Sequence, residues 1–74
     1  MIATHQIQNI DFKKDMLLMD VDGQHYQFHL QEISSKLANA TDAERNFYKV
    51  SASGYGIHWP LIDEDLSLEA LINL

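Results

Sequence analysis

The sequence predicts an α+β fold: a small, mostly antiparallel sheet of about five strands with two short helices, in the order β-β-β-α-β-β-α. Three observations carry this expectation. Tyr26, Phe28 and Leu30 alternate with His25, Gln27 and His29, the period-two pattern of a half-buried strand. Asp22-Gly23, just ahead of that stretch, supplies the φ > 0 residues of a tight hairpin turn. The period then changes, with Leu30, Ile33 and Leu37 three and four residues apart, an apolar stripe along one side of a helix.

Each element follows from its own local signal. Thr4 to Phe12 reads as a first strand, but Ile7 falls on the opposite parity from Ile10 and Phe12, so the strand needs a bend or a bulge. Lys13-Lys14-Asp15 is a polar turn. Met16–Asp20 and Gln24–Leu30 form the arms of a hairpin, and the apolar run from Met16 to Val21 suits burial on both faces. Gln31 to Ala40 is a helix with Ser34, Ser35 and Lys36 toward solvent. Thr41-Asp42-Ala43-Glu44 has the form of a capping box, which either starts a turn of helix or punctuates the return to strand. Phe47 to Ser53 alternates again, Gly54-Tyr55-Gly56 is a turn, and Ile57-His58-Trp59 is a short strand that Pro60 ends. Asp63-Glu64-Asp65 then forms a loop. Ser67 caps a final helix with Glu69 in its first turn and Leu68, Leu71 and Ile72 as its apolar stripe. Residues 1–74 form a single domain, with no repeat or linker.

Composition narrows the function classes. The chain has 74 residues and no cysteine, which excludes disulfides and thiolate metal sites. Eleven acidic residues against five basic ones give a net charge of −6. Of the basic residues Lys13, Lys14, Lys36, Arg45 and Lys49, only the first two adjoin, so this chain alone lacks the cationic patch that nucleic acid requires. Such a surface steers a basic protein partner instead. No apolar run reaches the roughly 20 residues of a membrane span. Met1 to Gln6 carries neither the basic nor the apolar part of a signal peptide, so a cytoplasmic location is expected.

Candidate chemistry is sparse. His25 and His29 share a strand face but stand about 13 Å apart along it, too far to ligate one metal ion. Asp20 and Asp22 do not open a calcium loop, since the twelfth position from Asp20 is Gln31 rather than Glu. Asp63, Glu64 and Asp65 with His58 and Trp59 form the most enzyme-like cluster, but turn formation, helix-dipole complementarity and core filling explain the same residues. Neither a nucleophile elbow nor a phosphate-binding glycine loop occurs. No catalytic residue, metal or cofactor is therefore expected. Tyr55, His58, Trp59, Asp63, Glu64 and Asp65 stand instead as protein-binding candidates, Trp59 only if it is exposed, since tryptophan more often fills a core. Strand edges of so small a domain also permit homodimerisation.

The stretch from Val50 to Ser67 resembles the bacterial family of domain of unknown function 2442. Its marks are a strand ending in a glycine-containing turn, then Ile57-His58-Trp59-Pro60, then Asp63-Glu64-Asp65-Leu66 stepping into the last helix. The hairpin tip Asp22-Gly23 and the aromatic strand after it extend the likeness over most of the chain. The resemblance implies a small α+β fold and no established catalytic residues. It also implies a gene set beside that of another small protein, in an arrangement like toxin and antitoxin; some members are fused to helix-turn-helix domains. The leading expectation is a non-enzymatic protein-interaction module, antitoxin-like or regulatory, with a basic partner encoded nearby. The alternative is a homodimeric ligand-sensing or transcription-regulator accessory domain. A small metal-dependent hydrolase using His58 with Asp63 and Asp65 comes last.

Overall fold

The structure, a computed structural model, describes residues 5–73. It is α+β, but the strands form two three-stranded antiparallel sheets rather than one sheet of five. The first sheet is β1 (Ile7–Lys13), β2 (Met16–Val21) and β3 (Gln24–His29), in that order. Three short helices follow: α1 (Leu30–Ile33), α2 (Ser35–Ala38) and α3 (Asp42–Arg45). The second sheet is β4 (Lys49–Val50), β5 (Gly56–Trp59) and β6 (Glu64–Ser67), and α4 (Leu68–Ile72) follows directly.

The first sheet forms as its sequence pattern dictates. Asp22 and Gly23 have φ of 52° and 85°, so both central residues of the turn match the twist of the hairpin they join. Met16 pairs with His29 and Val21 with Gln24 in one unbroken register. Leu17, Met19 and Val21 are buried, while Met16, Leu18 and Asp20 are only half-buried, so β2 is covered fully on one face. The parity conflict in β1 is resolved by a bulge between Gln8 and Asp11, with Asn9 at φ 56°. Ile7 then pairs with Val21 and Phe12 with Leu17, so both face the core. The expected start of β1 at Thr4 lies outside the described residues.

Three expectations are corrected farther along. The helix from Gln31 to Ala40 is broken at Ser34, whose φ of −164° and ψ of 110° are extended. Ser34 is buried, not solvent-facing: its hydroxyl accepts from the Leu37 amide and donates to the Glu64 carboxylate. The strand from Phe47 to Ser53 shrinks to Lys49–Val50, because the Phe47 amide bonds back to Glu44 and the Gly54 amide turns onto Ser51. The loop at Asp63-Glu64-Asp65 is largely strand. Asp63 takes φ 51°, the chain reverses, and Glu64 and Asp65 pair with Trp59 and His58.

One apolar cluster joins the two sheets and the helices. Trp59 lies at its centre, fully buried, with Phe12 edge-on at 6.4 Å and Tyr48 at 6.3 Å between ring centroids. Its indole N–H donates to the Arg45 carbonyl at 2.9 Å. Arg45 is itself buried, and its guanidinium donates to the carbonyls of Leu37, Ala38 and Lys14. This fork ties the end of α2, where the Leu37 carbonyl also accepts from the Ala40 amide, to the β1–β2 turn. The capping box at Thr41 and Glu44 forms with both of its bonds and fixes α3, the helix that carries Arg45.

Candidate functional site

The alternation of β5 decides which residues the second sheet offers to solvent. Ile57 and Trp59 point into the core, so Gly56 and His58 face the other way. Register brings Lys49 beside His58 and His58 beside Asp65, a row of three polar side chains across the sheet. His58 Nδ1 lies 2.7 Å from Asp65 Oδ1, which orients the imidazole. The next row is Gly56 opposite Ser67, with almost no side-chain bulk. A hollow results. It is an open groove of about 1000 Å³, lined by these strands, by Tyr55, by Glu69 and Ile72 of α4, by Asn73 just after it, and by His5.

Local chemistry keeps the groove in shape. Gly54 has φ 72°, and a Cβ there would overlap the His5 carbonyl oxygen. At Gly56 a Cβ would meet the Leu66 carbonyl. The Ser51 hydroxyl accepts from the amides of Tyr55 and Gly56 at 2.8 and 3.2 Å. The Tyr55 carbonyl in turn accepts from the Leu68 amide at 2.7 Å. Ser67 caps α4 through the Ala70 amide. These bonds hold the Tyr55 backbone while the residue stays 50% exposed.

His5 ties the groove to the first sheet. Its amide donates to the Ser53 carbonyl at 3.1 Å, and its Nδ1 lies 2.7 Å from Asp22 Oδ2. The other Asp22 oxygen accepts from the Gln6 amide at 2.9 Å. That amide, with His5 second, holds the Asp22 carboxyl below the ordinary carboxylate range. A comparable cluster lies on the outer face of the first sheet. There Asp20 accepts from Asn9 at 2.8 Å and contacts His25 at 2.9 Å, and the same two groups, Asn9 foremost, depress its pKa.

The six candidate residues separate into two groups. Tyr55, His58 and Asp65 come together in the groove. Trp59 does not, because the core has taken the whole side chain. Glu64 turns inward to Ser34 and also accepts from the Asp65 amide. Asp63 is exposed at the turn, where its carbonyl accepts from Lys36 Nζ at 3.0 Å. Among the described residues no three histidine, aspartate or glutamate side chains converge to hold a metal ion. Nor is any helix among them long and apolar enough to cross a membrane.

Sequence reasoning missed His5, Lys49, Glu69 and Asn73 as groove residues. The alternation of Phe47, Lys49 and Ser51 carried the signal for Lys49. No local pattern points to His5, which reaches the groove only through a long-range bond.

The chain belongs to the DUF2442 family, described as proteins of unknown function; the match spans residues 7–74. Its fold is shared by the crystal structure of a protein of unknown function from Rhodospirillum rubrum ATCC 11170. That likeness has a TM-score of 0.72 at 22% identity and covers 93% of this chain and 86% of that one. No curated protein matches the chain.

Proposed function

We propose that this DUF2442 domain is a non-enzymatic protein-interaction module, the antitoxin-like or regulatory member of a two-protein bacterial system, and that the groove on its second sheet is the binding face. The observation that carries this reading is the groove itself. A volume of about 1000 Å³ is large for a domain of 74 residues, and the exposed ring of Tyr55 sits at it, a residue type enriched at binding hot spots.

Charge supports a basic partner. Arg45 is buried on three carbonyls, so the cations at the surface reduce to Lys13, Lys14, Lys36 and Lys49, against eleven carboxylates in the chain. The excess accelerates encounter with a cationic surface and weakens with salt. Titration calorimetry and stopped-flow mixing with the product of the adjoining gene test the reading. A stoichiometric complex is expected, weakened by Tyr55→Ala and forming more slowly as salt rises. Absence of a complex, or an association rate indifferent to salt, speaks against it.

The volume also favours a second reading, a homodimeric ligand-sensing domain, because it matches the upper end of small-molecule pockets. A dimer that shows saturable chemical-shift changes at Tyr55 and His58 with a small-molecule library, and no protein complex, selects that reading.

A further inference from the structure

We infer that the outer edge of β4 is a strand-addition site, completed by an extended segment of a basic protein partner that pairs with Tyr48 and Val50. The inference rests on the interaction reading above and names its mode of docking. It begins from the pairing pattern. Lys49 opposes His58 and Val50 opposes Ile57, which continues to Ser51 opposite Gly56. The Ser51 amide donates to the Gly56 carbonyl at 3.0 Å, so that last pair is hydrogen-bonded. Antiparallel ladders alternate hydrogen-bonded with non-bonded pairs, so Lys49 also directs its amide and carbonyl at β5. Val50 and Tyr48 therefore direct theirs outward.

Among the described residues the sheet order places no strand on that side. β4 is the outer strand of this sheet, and outside the strand ladders no backbone bond among the described residues reaches the amide or carbonyl of Tyr48 or Val50. The opposite edge differs, because β6 runs straight into α4. Sequence alternation from Phe47 to Ser53 specifies a longer strand than the two residues that pair, so this segment has strand propensity that the isolated fold leaves unused. Phe47 and Val50 are two of the four large apolar side chains left exposed among the described residues.

Charge selects the occupant. A second copy of this chain also carries −6, and the register that opposes Tyr48 to Val50 of such a copy sets Lys49 directly against Lys49. A basic partner meets neither obstacle from the domain as a whole. Its added strand would set an apolar residue over Val50, on the core side, and an uncharged or acidic residue beside Lys49, on the groove side.

Hydrogen exchange on the isotopically labelled domain, alone and with the adjoining gene's product, tests this without any substitution. Strand addition slows exchange at Tyr48 and Val50 by about tenfold or more and leaves Lys49, already bonded, nearly unchanged. Val50→Pro gives a second readout: its amide points away from β5 and serves no bond among the described residues, so the variant should fold and yet bind about tenfold or more weakly. A complex with no protection at Tyr48 and Val50 overturns strand addition and leaves the interaction reading standing. No complex overturns both. Protection that grows with the domain's own concentration, partner absent, assigns the edge to a second copy and overturns the heterologous strand.

Discussion

The two sheets of this domain are built from different kinds of information. The first has strands of seven, six and six residues, a turn with the required φ values and an almost continuous register. Its pattern is local, readable within a few residues of any position. The second has strands of two, four and four residues, and contacts from far along the chain hold it: Trp59 to Arg45, Glu64 to Ser34, Gly54 against His5. The groove belongs to this second sheet. A surface supported from outside can carry a glycine, a serine and a half-exposed tyrosine where a self-sufficient sheet would place β-branched or aromatic residues.

If that contrast is correct, the largest effect should come from removing the support. Trp59→Ala deletes the side chain against which Phe12 and Tyr48 pack and leaves the Arg45 carbonyl without its donor. A loss of about 3–5 kcal/mol is expected, comparable to the whole stability of so small a domain. Far-UV circular dichroism and urea titration should show a chain largely unfolded in buffer. A variant that keeps a cooperative transition close to that of the wild type would mean that the second sheet stands without the tryptophan.

The two glycine turns make the comparison sharper. Gly54 combines positive φ with backbone contact to His5, so Gly54→Ala meets both strain and overlap, and about 3 kcal/mol or more is expected. Gly23 also has positive φ, but nothing lies within 4 Å of an added Cβ. Gly23→Ala should therefore cost only about 1–2 kcal/mol, the intrinsic penalty of that conformation. Urea midpoints of the two variants measured side by side decide the matter. Equal losses would show that His5 yields easily and does not brace the turn.

The same division explains what the sequence made legible. Asp22-Gly23, the alternation in β3, the bend or bulge signalled by Ile7, the capping box at Thr41 and the Ser67 cap are each set by neighbours in the chain, and each forms where its pattern stands, at β1 as a bulge. β6 was hidden because it begins with Glu64 and Asp65, poor strand formers that pair only because Asp63 turns the chain back onto β5. The break at Ser34 was hidden as well. A serine read as facing solvent carries no sign that a glutamate thirty positions later will take its hydroxyl. Of the candidate site, Tyr55, His58 and Asp65 were legible as polar and aromatic residues near one turn. That they share a face, and that Lys49 and His5 join them, depends on register and on long-range contact.

Acid should act first through the first sheet and its link to His5. Asp22 and Asp20 have carboxyls held below their ordinary range, chiefly by the Gln6 amide and by Asn9 respectively. A carboxylate with a depressed folded-state pKa contributes stability that is fully present above its unfolded value of about 4 and disappears as pH falls through the folded value. Stability should therefore decline below about pH 4, and Asp22→Asn should flatten that limb without changing its direction. The groove should respond too, since His5 lines it. Urea midpoints across the acid range, with the Tyr55 amide followed by NMR, test the link. A Tyr55 signal that ignores Asp22→Asn would separate the groove from the hairpin tip.

The smallest effect on stability should come from the row that faces solvent in the groove, and there the comparison becomes one of folding against function. His58 and Asp65 are bonded at 2.7 Å, but both side chains remain well exposed, so the pair is screened and contributes little to the fold. Asp65→Asn keeps the shape and an acceptor oxygen while removing the charge, and a stability change within about 0.5 kcal/mol is expected. Binding is a different matter. If the groove engages a partner, the residues there are desolvated in the complex, and an interaction nearly worthless in water gains strength once water is excluded. Asp65→Asn should then weaken the complex several-fold at unchanged folding stability, with a smaller loss at high salt, where the charge already counts for less. Equal affinity of wild type and variant would remove this row from the interface and leave Tyr55 and the β4 edge to carry it. A loss of stability as large as the loss of affinity would mean that the second sheet draws on its own surface pairs as well as on distant support.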